Sequence, residues 1–127
     1  MEIYKVKAFL RFARAEAISD ARLAEAVKRA NAGLIDADLG GGVIKQRVAR
    51  EGQGKSGGYR TILLFRHGER AIFAYGFAKN DKDNIDRTEL AAFRKAAALF
   101  LAFDEAAVTK MIESGAWSRV EMDKDEI

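Results

Sequence analysis

The stretch 43-VIKQRVAREGQGKSGGYRTILLFRHGERAIFAYGFAKNDKDN-84 decides the fold. It holds three runs of strand-forming residues separated by two turns. Val43 to Arg50 alternates, with Lys45 and Arg47 on one side and Ile44 and Val48 on the other. EGQGKSGG, residues 51–58, reads as the first turn. Tyr59 to Arg66 is a second strand whose centre, TILLF, is apolar on both faces, as in the middle of a sheet. His67 to Arg70 is a tight reversal, and Ala71 to Ala78 is the third strand. Neither connection is long enough for a crossover, so the three runs form an antiparallel meander.

The same stretch carries the charge. From Val43 through Lys79 there are eight Lys or Arg against two acids, a local balance of +6. The first 42 residues sum to +1 and the last 48 to −4, so a formal net charge of +3 hides a cationic ribbon beside an acidic C-terminal third. That asymmetry points to a polyanion or an acidic partner. At 127 residues with 49% hydrophobic content, the chain fits one compact domain, read as residues 1–115 followed by a polar tail, 116–127. There is no cysteine, which excludes disulfides and thiolate chemistry. The N-terminus lacks the apolar core of a signal peptide, and no window approaches the roughly 18 apolar residues of a membrane span. A cytoplasmic protein without a membrane partner is therefore expected.

Outward from the meander, Ile3 to Lys7 reads as a first strand and Ala8 to Ala17 as a helix. Ser19 then caps a second helix with Leu23, Ala26, Val27 and Ala30 as its apolar stripe, and Gly33 ends it. Leu34 to Gly42 reads as an irregular loop. Beyond the meander, Asp86 with Glu89 opens a helix as a capping box, and Asp104 caps a further short helix that Gly115 follows. The resulting class is α+β, with helices packed against one antiparallel sheet.

Within the ribbon, Lys45, Arg47, Arg60 and Lys79 are the constellation with chemical meaning. Arg60 opens the strand beside Lys45 and Arg47, and Lys79 ends the third, so four cations could meet at one edge. Such a cluster neutralises phosphates and stabilises the extra charge of a pentacoordinate phosphorane. The structural alternative is a solvated face whose long side chains cover apolar neighbours. GQGKSGG resembles a P-loop only superficially, because the first glycine would fall at Ala49 and a strand, not a helix, follows. Lys55 at its tip is still placed to touch a phosphate backbone. His67, the one histidine, reads as an exposed turn residue. Phe73, Tyr75 and Phe77 alternate on one face, and Tyr59 or Tyr75 at the rim could stack a splayed base.

SGGYRTILLFR at 56–66, AIFAYGFAKNDKDNI at 71–85 and the helix opening at TEL resemble the toxins of the RelE/ParE superfamily, above all its RelE and HigB branch. GLIDADLGGGVIKQRVAR at 33–50 also resembles members of that branch, so the similarity spans about residues 3–103. It implies a RelE-like fold made of an N-terminal strand and two helices, the three-stranded meander, and C-terminal helices. It also implies a type II toxin held inactive by a cognate antitoxin, a helix-turn-helix DNA-binding protein. The implied activity is ribosome-dependent mRNA cleavage without metal or cofactor, by attack of a ribose 2′-hydroxyl on its neighbouring phosphate.

On that resemblance Arg60 matches the hairpin arginine that braces the phosphate, and Lys79 the basic position ending the last strand. Lys45 and Arg47 match basic strand positions. Lys55, Arg50, Tyr59 and Asn80 are expected to contact RNA. Where several RelE-type enzymes carry a Tyr or His after the last strand, this chain has Asn80, Asp81, Asp83 and Asn84. The general base is thus open between Asp81, Asp83 and a lysine of depressed pKa. Two other readings are a ParE-like gyrase inhibitor and a degenerate module that only binds its antitoxin.

Overall fold

The structure is a computed structural model describing residues 1–50, 54–78 and 84–121, with side chains at 54–57 outside the description. The chain runs β1 (Glu2–Val6), α1 (Lys7–Ala15), α2 (Asp20–Asn31), β2 (Ala37–Gly40), β3 (Val43–Arg50), β4 (Gly54–Arg66), β5 (Arg70–Ala78), α3 (Arg87–Phe100), α4 (Glu105–Glu113) and β6 (Trp117–Arg119). The strands form one sheet in the order β2-β3-β4-β5-β1-β6. The β3-β4-β5 meander is antiparallel, while β1 joins β5 in parallel and β6 antiparallel to β1 completes the edge.

The helix ends follow the sequence closely. Ser19 Oγ accepts from the Arg22 amide, Asp86 and Glu89 exchange both capping-box bonds, and Asp104 accepts from the Ala107 amide. These bonds satisfy amides that a helix start leaves orphaned. Two short strands were not expected. Ala37–Gly40, within the stretch read as loop, pairs with β3, and Trp117–Arg119, in the stretch read as tail, pairs with β1. Trp117 is 2% exposed and Val120 5%, so the folded unit extends past residue 115. Both strands are too short for local propensity to specify; pairing with a neighbour creates them. β4 also begins at Gly54 rather than Tyr59, with Arg50 paired to Gly54.

The sheet buries both faces, because successive side chains point to opposite sides. On one face α1 and α2 cover Ile3, Ile44, Val48, Leu63, Ala71 and Phe73. On the other, α3 and α4 cover Tyr4, Val43, Ile62, Leu64, Ile72 and Trp117. A bulge corrects the expectation that Phe73, Tyr75 and Phe77 share a face. Leu63 pairs with Phe73 but Ile62 with Tyr75, so one extra residue on β5 reverses the alternation. Phe73 stacks on Phe9 of α1, whereas Tyr75 meets Phe77 and Phe93. Among the described residues no helix is long and apolar enough to cross a membrane.

Candidate functional site

Arg47 on β3 lies directly across from Arg60 on β4, and Arg60 across from Phe77 on β5. Two rungs along, Lys45 faces Ile62, and Ile62 faces Tyr75. Two rows therefore cross three strands on the face that α3 and α4 pack against. The second row is half covered by those helices; Ile62 is fully buried. The first row carries two arginines side by side at half-buried positions. Like charges directly opposite each other on a sheet are unfavourable. The Arg47–Arg60 pair therefore carries a cost that a negatively charged ligand would relieve.

The partners of the two guanidinium groups sharpen the point. Arg47 is held by Asp36, whose carboxylate accepts from the Arg47 amide at 2.6 Å and lies 3.9 Å from its Nε. The Arg47 carbonyl accepts from Arg29 of α2. Arg60 has no side-chain hydrogen bond or ion pair to any described residue, and its Nη1 is buried. Arg29 and Arg70 each leave one buried nitrogen unpartnered as well, but Arg29 donates through Nη2 and Arg70 through both Nη1 and Nη2. A buried polar atom without a partner costs about 1–3 kcal/mol, more when charged. Arg60 Nη1 is thus a buried donor whose hydrogen bond is unmade among the described residues.

Other members of the cationic ribbon have different places. Arg70 is 9% exposed and donates to the carbonyls of Phe100 and Phe103 while meeting Glu2 at 3.3 Å, so it caps the end of α3. Tyr59 is 3% exposed on the opposite face, edge-on to Phe12 of α1, and Arg50 lies 5.6 Å over its ring. Burial first, and then the Glu16 carboxylate beside it, push the Tyr59 hydroxyl above its ordinary pKa. Tyr59 cannot stack a base in this position, and neither it nor Arg50 joins the Arg47–Arg60 row, because strand alternation turns them away. The side chain of Lys55, and Lys79, Asn80, Asp81 and Asp83 altogether, lie outside the description. His67 is exposed and contacts the Asn31 carbonyl.

Gly58 explains how Arg60 is set. The β3–β4 register shifts between Val48 and Arg50, and a Cβ at Gly58 would run into the Val48 carbonyl. Only glycine permits the strands to approach so closely two residues before Arg60. The SGG run was read as part of the turn, but its last glycine serves the ladder. Tyr75 was legible as a rim aromatic; its sharing a face with Arg60 was not, since the bulge decides it. Among the described residues no three His, Asp or Glu side chains gather as a metal site.

The family description "RelE toxin of RelE / RelB toxin-antitoxin system" matches residues 1–120. The chain belongs to the RelE toxin family. It is therefore a toxin of a toxin-antitoxin system, and the family implies an antitoxin partner. RelE family toxins are generally endoribonucleases. The match runs through β6, in keeping with Trp117 and Val120 in the core. No curated protein matches the sequence.

Proposed function

We propose that this RelE family toxin is an endoribonuclease that cuts mRNA on the ribosome in the cytoplasm, and that a helix-turn-helix antitoxin restrains it. The observation that supports the reading is the Arg47–Arg60 pair, with Arg60 half-buried and without a partner among the described residues. Two guanidinium forks on one face match the oxygens of a phosphodiester. In the proposed step the ribose 2′-hydroxyl loses its proton to a base, the 2′-oxygen bonds to the adjacent phosphorus, and the bond to the 5′-oxygen breaks. The leaving oxygen takes up a proton, giving a 2′,3′-cyclic phosphate and a 5′-hydroxyl. Arg60 and Arg47 would hold the phosphorane charge, and Lys45 would steer the strand. Lys79, Lys55 and Asn80 remain proposed contacts, with Lys79 the proposed proton donor. Tyr75, on the next row, replaces Tyr59 as the aromatic against which a base could stack.

The test is translation in a purified ribosomal system followed by mapping of mRNA 5′ ends. The wild-type chain should generate 5′-hydroxyl fragments, and Arg60→Ala should generate them about 100- to 1,000-fold more slowly while its circular dichroism is unchanged. Full cutting by Arg60→Ala would overturn the site. Intact transcripts together with gyrase-linked DNA breaks would overturn the nuclease reading.

A further inference from the structure

On the face opposite the arginine row, the corner between α1 and α2 and the ends of β3 and β4 enclose an open cavity of about 320 Å³. Its charged walls are Glu16, Arg22 and Arg50, joined by Ser19 and the edge of Tyr59. Two other basic groups on this side are committed: Lys5 to Asp20 at 2.7 Å, and Arg29 to the Arg47 carbonyl and, at 3.8 Å, to Glu25. Arg22 and Arg50 have no ion pair among the described residues. The acids nearby do not serve them. Asp20 is spent on Lys5 and on the Glu121 amide, and Glu16 lies against the Tyr59 hydroxyl.

Arg50 lies over the Tyr59 ring, and that ring is itself wedged against Phe12, so the guanidinium starts from a supported position. Arg22 comes from the first turn of α2, where the helix start favours negative charge. The two arginines and one carboxylate leave the cavity with a formal charge of +1. We propose that this cavity binds a phosphate group, carried by a free nucleotide or by an RNA strand. Guanidinium groups presented from two elements suit a phosphate, whose non-bridging oxygens point in tetrahedral directions, better than a planar carboxylate. The site is separate from the arginine row and does not depend on the proposed cleavage.

The experiment is titration of the isotope-labelled full chain, read by amide chemical shifts. The probes are inorganic phosphate, adenosine monophosphate, and a 2′-O-methyl oligoribonucleotide that cannot be cleaved through its 2′-oxygen. Amides at 16–22 and 49–50 should shift and saturate below about 10 mM for the nucleotide. Arg50→Gln, an exposed change that leaves the fold intact, should weaken that binding about tenfold, as should Arg22→Gln. Arg60→Gln should leave it unaltered, which separates this cavity from the arginine row. Tighter binding of the mononucleotide identifies a free nucleotide as ligand, and tighter binding of the oligonucleotide an RNA strand; either sustains the phosphate site. Shifts that do not saturate, that sodium acetate reproduces at equal concentration, or that survive both arginine changes would overturn it.

Discussion

Two adjacent rungs of the β3–β4 ladder differ in every respect that matters. At one, Gln46 faces Thr61 toward α2, and both are fully buried. Gln46 donates to the carbonyls of Ala26 and Leu34 and accepts from the Asp36 amide, while Thr61 Oγ1 donates to the Gln46 carbonyl at 2.7 Å. At the next, Arg47 faces Arg60 on the other side of the sheet, and Arg60 meets no described acceptor. The first rung is polar and complete, which marks a structural device that joins α2 and the 33–36 connection to the sheet. The second is charged and incomplete, and the proposed RNA contact is what would complete it.

That contrast can be broken by mutation. The largest effect is expected at the incomplete rung: Arg60→Ala should lower the cleavage rate by about 100- to 1,000-fold, the scale of losing one preorganised charge stabiliser. Stability in urea should hold or rise slightly, because a like-charge pair is relieved. Arg60→Lys should restore only part of the rate, since an ammonium cannot grip two oxygens in a fixed plane. Gln46→Leu should do the reverse. It takes the side-chain partner from the Leu34 carbonyl and the Asp36 amide and the second donor from the helical Ala26 carbonyl, costing about 3 kcal/mol in urea unfolding, while activity per folded molecule persists.

Smaller effects sharpen the comparison. Asp36→Asn can still accept the Arg47 amide but releases its guanidinium, whose side chain is 42% exposed. The KM for RNA should fall by no more than about fivefold, as for an exposed ion pair, with kcat unchanged and a steeper salt dependence. Loss of kcat instead would mean that Asp36 orients Arg47 for chemistry. The smallest change lies at Ala17, the one described non-glycine residue with positive φ, at 55°. It occupies the left-handed position that ends α1, where the Ile18 amide donates to the Ala13 carbonyl at 2.8 Å. Ala17→Gly removes a Cβ penalty of about 1–2 kcal/mol and adds unfolded-state freedom, for a net gain of about 0.5 kcal/mol in thermal or urea unfolding.

Much of the architecture was legible from residue order because its causes are local. Ser19, Asp86 with Glu89, and Asp104 cap helices through bonds spanning three residues. Lys45 and Arg47 share a side of β3 because strands alternate, whatever surrounds them. The same alternation separates Tyr59 from Arg60, so their joint assignment to one RNA surface conflicted with a rule already visible in the chain. Arg70 was different: nothing nearby in sequence announces that it will cap α3, thirty residues on.

The sequence by itself determined the helices, the meander and the pairing of basic positions along each strand, since sterics and hydrogen bonds within a few residues specify them. Tertiary structure alone decided which face of the sheet each cation would occupy in a covered or open state. It also placed the extra residue in β5 that swings Tyr75 round to the arginine face, and drew β2 and β6 out of segments with little strand propensity. Those outcomes depend on contacts between residues far apart in the chain, where packing against α1, α3 or a neighbouring strand outweighs any local preference.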